Sequence, residues 1–342
     1  MKAKEESFYS KERQPLSEKI PLDTPFTINI EPSGYCNLEC KFCGHSSDDY
    51  MKDFYVAPQM MVHDTFSCVV EQMGEFPHKF KIARLAGYGE PLLNPDIAQY
   101  ISELKKADVV EAVQIFTNGI PLNHSLSEKI VDAGLDRMLV SVNGLSNDDY
   151  RENTNRNVNF DDFVSEIKYL YSIKNQLQID IKIADACLPS DGKQRFLDIF
   201  GNYCDRISVE GTHILVHNTK SYGNLSDKKN ALWKFKELAD RQPHVCPMPF
   251  YSMSVLANGE ITVCNTINMR LTTEGLNLKK CRLYEVWNGS WHKEVLIKSL
   301  KEDYSGSAKI CGVCSRKFVF AFPEDSLDEE RDRLVQVINN ME

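Results

Sequence analysis

Between residues 26 and 210, short β-branched and apolar runs recur, each parted from the next by a stretch with helical spacing. The runs are FTINIE (26–31), KIARLA (81–86), AVQIFT (112–117), RMLVSV (137–142), QIDIKIA (178–184) and RISVE (206–210); DIAQYISELKKA and FVSEIKYLYSI are two of the intervening segments. Alternation at period two predicts strands and apolar spacing near 3.6 predicts helices, so the pattern reads as six βα units. Helix punctuation agrees: Asn94-Pro95 offers an N-cap with proline in the first turn, Ser125 and Glu128 have capping-box spacing, and Gly134 suits a C-cap. Repeated βα units imply a parallel sheet, open or rolled into a barrel.

One face of several runs is polar: Thr27, Asn29 and Glu31; Ser141 and Asn143; Asp180 and Lys182; Ser208 and Glu210. A closed eight-stranded barrel fills its lumen with branched apolar side chains, so this set predicts an α/β fold with a partial (β/α)6 barrel holding a polar ligand. Any single residue could instead be satisfied by a neighbour, as Asp180 by Lys182. Residues 1–25 read as a polar N-terminal extension closed by PLDTPF, and residues 26–240 as the barrel. Residues 241–322 read as a small cysteine-rich domain in which ANGE is a hairpin turn. Residues 323–342 carry Leu327, Leu334, Val335 and Ile338 near helical spacing and predict an amphipathic C-terminal helix.

Composition narrows the function. Lys and Arg number 40 against 49 Asp and Glu, a formal charge of −9 without a basic block, which argues against nucleic acid as a partner. The opening residues are charged where a signal peptide is apolar, and no run of eighteen apolar residues occurs, so a cytoplasmic protein with no membrane partner is expected. Eleven cysteines, an odd number, fit metal or redox chemistry better than a disulfide framework.

The sharpest motif is CNLECKFC, which sets Cys36, Cys40 and Cys43 directly after the first strand. Three thiolates can each take one iron of a [4Fe–4S] cubane and leave the fourth iron open. Structural zinc wants four ligands, and His45 is the nearby candidate for the fourth. IEPSGYCNLECKFC resembles the CxxxCxxC signature of the radical S-adenosylmethionine (SAM) superfamily, including the aromatic Phe42 before the third cysteine. The resemblance implies that Cys36, Cys40 and Cys43 ligate a cluster whose open iron is chelated by SAM.

Further segments support the likeness. GYGEP (87–91) resembles the family's GGEP motif, making Gly87, Gly89, Glu90 and Pro91 candidate contacts of the SAM amino group, with Tyr88 splitting the glycines. FTNG (116–119) resembles another SAM-contacting turn, through Asn118. VSVNG (140–144) resembles the strand-four SxDG segment, with Ser141 as a ribose or carboxylate contact and Asn143 replacing the usual aspartate. Arg156 is a candidate clamp for the SAM carboxylate. The later set Cys246, Cys264, Cys311 and Cys314, with LYEVWNGSWHKEV between its pairs, resembles a SPASM or shortened "twitch" extension and implies a second, auxiliary [4Fe–4S] cluster; a two-plus-two cysteine set also suits zinc.

Among the remaining cysteines, Cys68 and Cys204 lie in helical patterns and read as packing. Cys187, after the fifth run, and Cys281, between the auxiliary pairs, are candidate hydrogen-atom donors; His213 and His217 follow the sixth run and could touch substrate. The resemblance implies one-electron reduction by a flavodoxin- or ferredoxin-type donor, SAM cleavage, and hydrogen abstraction from a small-molecule substrate. A single auxiliary cluster resembles enzymes acting on sugars or aminocyclitols, as dehydrogenases if the auxiliary cluster takes the substrate electron and as epimerases if a thiol returns a hydrogen. Maturation of a ribosomally made peptide is the alternative enzyme function, and a zinc-ribbon interaction protein the alternative outside enzymes.

Overall fold

The computed structural model describes residues 1–8, 13–46, 58–189, 191–212, 244–264, 276–303, 305 and 322–340. Strands form where the alternation is. β1 is Lys4–Glu5, β2 Thr27–Ile30, β3 Phe80–Leu85, β4 Val110–Thr117, β5 Arg137–Val142, β6 Gln178–Ala184, β7 Arg206–Glu210, β8 Ser252–Val255 and β9 Ile261–Thr262. They make one sheet in the order β1-β7-β6-β5-β4-β3-β2-β8-β9. β2 to β7 are the six expected strands, parallel and sequentially adjacent, an unclosed partial barrel.

The strands β2 to β7 bury an apolar face under helices. In β6, Ile179, Ile181 and Ile183 are wholly buried while Asp180 and Lys182 point to the other face. The covering helices include α1 (His63–Met73), α2 (Ile97–Ala107), α3 (His124–Asp132), α4 (Asn147–Thr154), α5 (Phe160–Ile173) and α6 (Gly192–Phe200). α2 buries Ile97, Tyr100, Ile101 and Leu104, spacing that forms one stripe. Gly134 closes α3 with φ +86°, as a C-cap glycine should. The caps themselves differ from expectation. Asn123, not Ser125, caps α3 by accepting from the Leu126 N–H at 3.0 Å. Asn94 accepts from the Asp96 N–H at 2.9 Å, one turn before α2 begins. In both places an Asn side chain captures a nearby backbone N–H and sets the start.

Residues 1–25 are more than a polar lead-in. β1 pairs parallel with β7, Lys4 opposite Arg206, and Phe8 is buried against Phe116, edge-on at 5.0 Å, with the Arg137 guanidinium 4.5 Å from its ring. Leu16 and Ile20 join Val245, Phe250, Leu296, Leu300, Leu327, Leu334 and Ile338 in a second core. That core holds α7 (Met248–Tyr251), α9 (Ser290–Leu300) and the tail helix α10 (Arg331–Asn339), while α8 (Leu283–Asn288) packs on the main core through Leu283, Val286 and Trp287. The ANGE hairpin joins β8 to β9 antiparallel, and β8 extends the barrel sheet alongside β2.

Candidate active site

All the motif segments leave the same, carboxyl-terminal ends of the parallel strands. After β2 the chain turns through Glu31–Gly34, tied to the next segment by Gly34 N–H to the Gln59 carbonyl (2.7 Å) and Met61 N–H to the Pro32 carbonyl (2.9 Å). The cysteine loop is then strapped to the end of α4: Glu39 N–H donates to the Thr154 carbonyl and Lys41 N–H to the Asn153 carbonyl, both at 3.0 Å. Cys43 N–H reaches back to the Cys40 carbonyl at 2.9 Å, coiling the loop so that the three thiols share one neighbourhood. All three are reduced and partly exposed. Burial pushes the Cys36 thiol up to about 12, and the neighbouring Glu90 and Cys43 add to it; burial raises Cys40 well above the usual thiol range, with Cys43, Cys36 and Cys187 adding. Thiolates so placed need a strong cation beside them, which a cluster supplies. Among the described residues no set of His, Cys, Asp or Glu gathers tightly enough to hold a single ion. A cubane does not ask for that, because its thiolates bind separate irons. His45 is turned away, its Nε2 on the Gly34 carbonyl at 3.0 Å. The donor set therefore fits a three-thiolate cluster, and Phe42 packs on the main core beneath it.

GYGEP lies directly against this loop. A side chain at Gly89 would place its Cβ 2.2 Å from the Tyr35 carbonyl oxygen and 2.4 Å from that of Ser33, so only glycine permits the approach. Glu90 N–H donates to the same Tyr35 carbonyl at 2.7 Å. The Glu90 carboxylate, fully buried, accepts from Thr117 Oγ1 (2.6 Å), Asn118 N–H (2.7 Å) and Leu92 N–H (3.0 Å), the last capping a short 3-10 turn opened by Pro91. Burial raises its pKa to about 7 against these three hydrogen bonds. Asn118 in turn donates to Asn37 Oδ1 at 2.8 Å and lies 3.9 Å from the Cys36 sulfur. Glu90 thus binds the GYGEP turn to the FTNG turn, and Asn118 binds both to the cysteine loop.

A second buried carboxylate, Glu31, does the same on the other side and escaped sequence reasoning as a site residue. Its Oε1 accepts from Tyr88 N–H (3.0 Å) and its Oε2 from Ala257 N–H (3.2 Å) in the β8–β9 hairpin, and a Cβ at Gly87 would strike its Cγ at 2.4 Å. The signals were its place in the polar face of the first run and its position two residues before the motif's Ser33. Asn153 and Thr154, which hold the loop from below, gave no signal at all.

The other candidates separate. Ser141 faces the lumen, opposite Lys182 on β6, and its carbonyl accepts from Asn143 Nδ2 at 3.3 Å. Arg156, half exposed, is ion-paired with Glu39 inside the cysteine loop, so a clamp role on SAM requires it to leave that partner. Cys187 is buried at the carboxyl end of β6, in the electrostatic neighbourhood of Cys40 and the buried Tyr150. Cys281 sits elsewhere: its sulfur reaches the Asn277 carbonyl at 3.3 Å, the charged groups acting on it are Glu285 and Lys280, and Leu283 N–H is held by Gln72 in the last turn of α1. The structure brings Cys187, and not Cys281, to the motif cysteines. Cys246 precedes α7 and Cys264 follows β9 along the chain; Cys311 and Cys314, like His213 and His217, lie outside the described residues. Asp180 is satisfied by Arg206 and Arg137 rather than by Lys182.

Residues 30–177 match the Radical SAM superfamily. Among curated proteins, GTP 3′,8-cyclase of Staphylococcus haemolyticus (strain JCSC1435) is 28% identical over 159 residues, 46% of this chain and 45% of that protein. The enzyme of the same name from Clostridium perfringens (strain 13 / Type A) is 29% identical over 180 residues, 52% and 51%. The chain spans about half the length of the curated relatives it matches. Among solved structures, Streptococcus suis SuiB bound to S-adenosylmethionine superposes with a TM-score of 0.60 at 18% identity, over 87% of this chain and 74% of that one. BtrN in complex with AdoMet and 2-DOIA gives 0.52 at 14%, over 85% and 92%. At these identities the likeness is one of fold.

Proposed function

We propose that this chain, whose residues 30–177 match the Radical SAM superfamily, abstracts a hydrogen atom from a small polyhydroxylated substrate, a sugar or aminocyclitol, to give dehydrogenation or epimerisation. The observation that carries the proposal is the three-thiol loop laced through Glu90 and Asn118 to two further strand-end turns. A [4Fe–4S] cluster and SAM, when bound, supply the one-electron cleavage and the hydrogen-abstracting radical. Cys36, Cys40 and Cys43 would hold the cluster; the Gly87–Pro91 turn, Asn118 and Ser141 would hold SAM. Glu90 keeps its carboxylate on Asn118 and Thr117, so its part is to fix both turns.

The second cluster, on Cys246, Cys264, Cys311 and Cys314, and an electron donor of flavodoxin or ferredoxin type belong to the same proposal. Supporting the small-molecule substrate is the likeness to BtrN, whose complex contains 2-DOIA. The likeness to SuiB, solved also with the precursor peptide SuiA, supports the alternative of peptide maturation. Anaerobic reconstitution tests the proposal. About eight irons per chain are expected, about four for each cubane, and replacing Cys36, Cys40 and Cys43 by alanine should halve them. Zinc without acid-labile sulfide, or no 5′-deoxyadenosine from SAM after reduction, would refute it.

A further inference from the structure

The register across the sheet sets Lys182 of β6 opposite Ser141 of β5 on one side and Ser208 of β7 on the other. One row towards the strand starts, the lumen is sealed. The Asp180 side chain, 3% exposed, accepts from Arg206 at 2.9 and 2.6 Å and from Arg137 at 3.3 Å, and Phe8 lies under both guanidinium groups, 4.5 Å from Arg137 and 5.5 Å from Arg206. Above this floor the lumen is open, the Lys182 side chain being 28% exposed and that of Glu210, one row further on, 13%. Lys182 Nζ donates to Glu210 Oε2 at 3.2 Å, and the hydroxyls of Ser208 and Ser7 each donate to Glu210 Oε1 at 3.4 Å.

We propose that Lys182, Ser208 and Glu210 read the substrate, and that they take an unphosphorylated amino polyol in preference to a nucleotide. The inference rests on the radical SAM proposal for where chemistry occurs and on charge for what is bound. Phosphate sites present unengaged guanidinium forks or surplus cations. Among the described residues of this lumen, Arg137 and Arg206 are engaged by Asp180, and Arg84 donates to Asn29 Oδ1 at 3.1 Å while lying over the Phe116 ring. Lys182 is balanced by Glu210, and Glu31 is a further acidic side chain at the strand ends. Among the described residues of this lumen a triphosphate would meet no positive surplus. A ring bearing hydroxyls and one ammonium finds an acceptor in Glu210, a donor in Lys182 and a hydroxyl that is either in Ser208.

The test is equilibrium dialysis of reconstituted, SAM-loaded, unreduced protein against scyllo-inosamine, guanosine and GTP. Scyllo-inosamine should bind at least about tenfold tighter than GTP, and Lys182→Met and Glu210→Gln should each weaken it roughly 10- to 100-fold, the loss of one charge-assisted hydrogen bond. Ser208→Ala leaves the ion pair in place and should cost roughly three- to tenfold, which keeps the test decisive if an ion-pair variant does not fold; SAM binding reports the fold of each. Tighter binding of GTP or guanosine, no binding of scyllo-inosamine, or indifference to all three substitutions would overturn the inference. Failure to cleave SAM would sink the radical chemistry and leave the dialysis result standing.

Discussion

Removing the Glu90 carboxylate should unfasten two turns at once. In Glu90→Ala the Asn118 N–H, the Leu92 N–H and the Thr117 hydroxyl lose their acceptor inside the protein. At about 1–3 kcal/mol for each buried orphan, and with some relaxation between adjacent groups, the loss is about 3–6 kcal/mol of unfolding free energy. The pH dependence has a definite sign. Glu90 titrates near 7 in the folded chain against 4.5 ordinarily, so the native state holds this proton more tightly than the unfolded one. Its contribution is therefore complete below pH 4.5 and declines as pH rises through 7. Between pH 5 and pH 8 the difference between wild type and variant should shrink by about 2.5 kcal/mol. Urea denaturation of both proteins, cluster-free and reduced, at the two pH values measures this. A destabilisation under about 1 kcal/mol at pH 5, or one that grows with pH, would refute the argument from these three hydrogen bonds. Glu90→Gln sharpens it, because an amide NH2 would meet the Asn118 N–H donor to donor.

Gly89→Ala should prevent the GYGEP turn from closing on Tyr35 and abolish SAM binding measured by dialysis; retained affinity would mean that the turn opens without consequence. Cys187→Ala should stall turnover if the reaction is an epimerisation, whereas Cys281→Ala should not; a product carrying one solvent deuterium in D2O whose formation depends on Cys281 would reverse that assignment. Phe8→Ala should cost about 3–5 kcal/mol as a buried aromatic deletion, and a thermal melt unchanged by it would show that the floor of the lumen does not need that ring.

The barrel was legible because its strands are β-branched on alternate positions and lie beside their neighbours in sequence; β5, β6 and β7 coincide with the runs read from the chain. β1 was not, since Lys4–Glu5 has no apolar face and earns its place only by meeting β7. The cysteine loop was legible as a spacing, but its supports were not. Glu90 meets Asn118 across 28 positions and Glu31 meets Ala257 across 226, separations at which local pattern carries no information. The same limit hid the choice between two thiols: Cys187 and Cys281 look alike as isolated cysteines, and only the fold puts the first beside Cys40. Asp180 and Lys182 lie close enough along β6 to suggest one ion pair, yet cross-strand register gives each a different partner.

Both outer partners of the barrel strands come from distant parts of the chain, and this orders events during synthesis. When the ribosome has delivered β7, its free edge can be taken at once by β1, which emerged first and has waited since residue 5. The β2 edge has no such partner until β8 appears, Thr27 pairing with Ser252. For the interval in which residues 211 to 255 are made, a nearly complete sheet shows one unpaired strand, and that strand leads straight into the three-cysteine loop. An open edge is sticky towards other chains. It also leaves the loop approachable from the side that the β8–β9 hairpin later closes through Ala257 and Glu31. Slowing translation after residue 210 should therefore lengthen both the hazard and the opportunity, raising aggregation and early metal loading together.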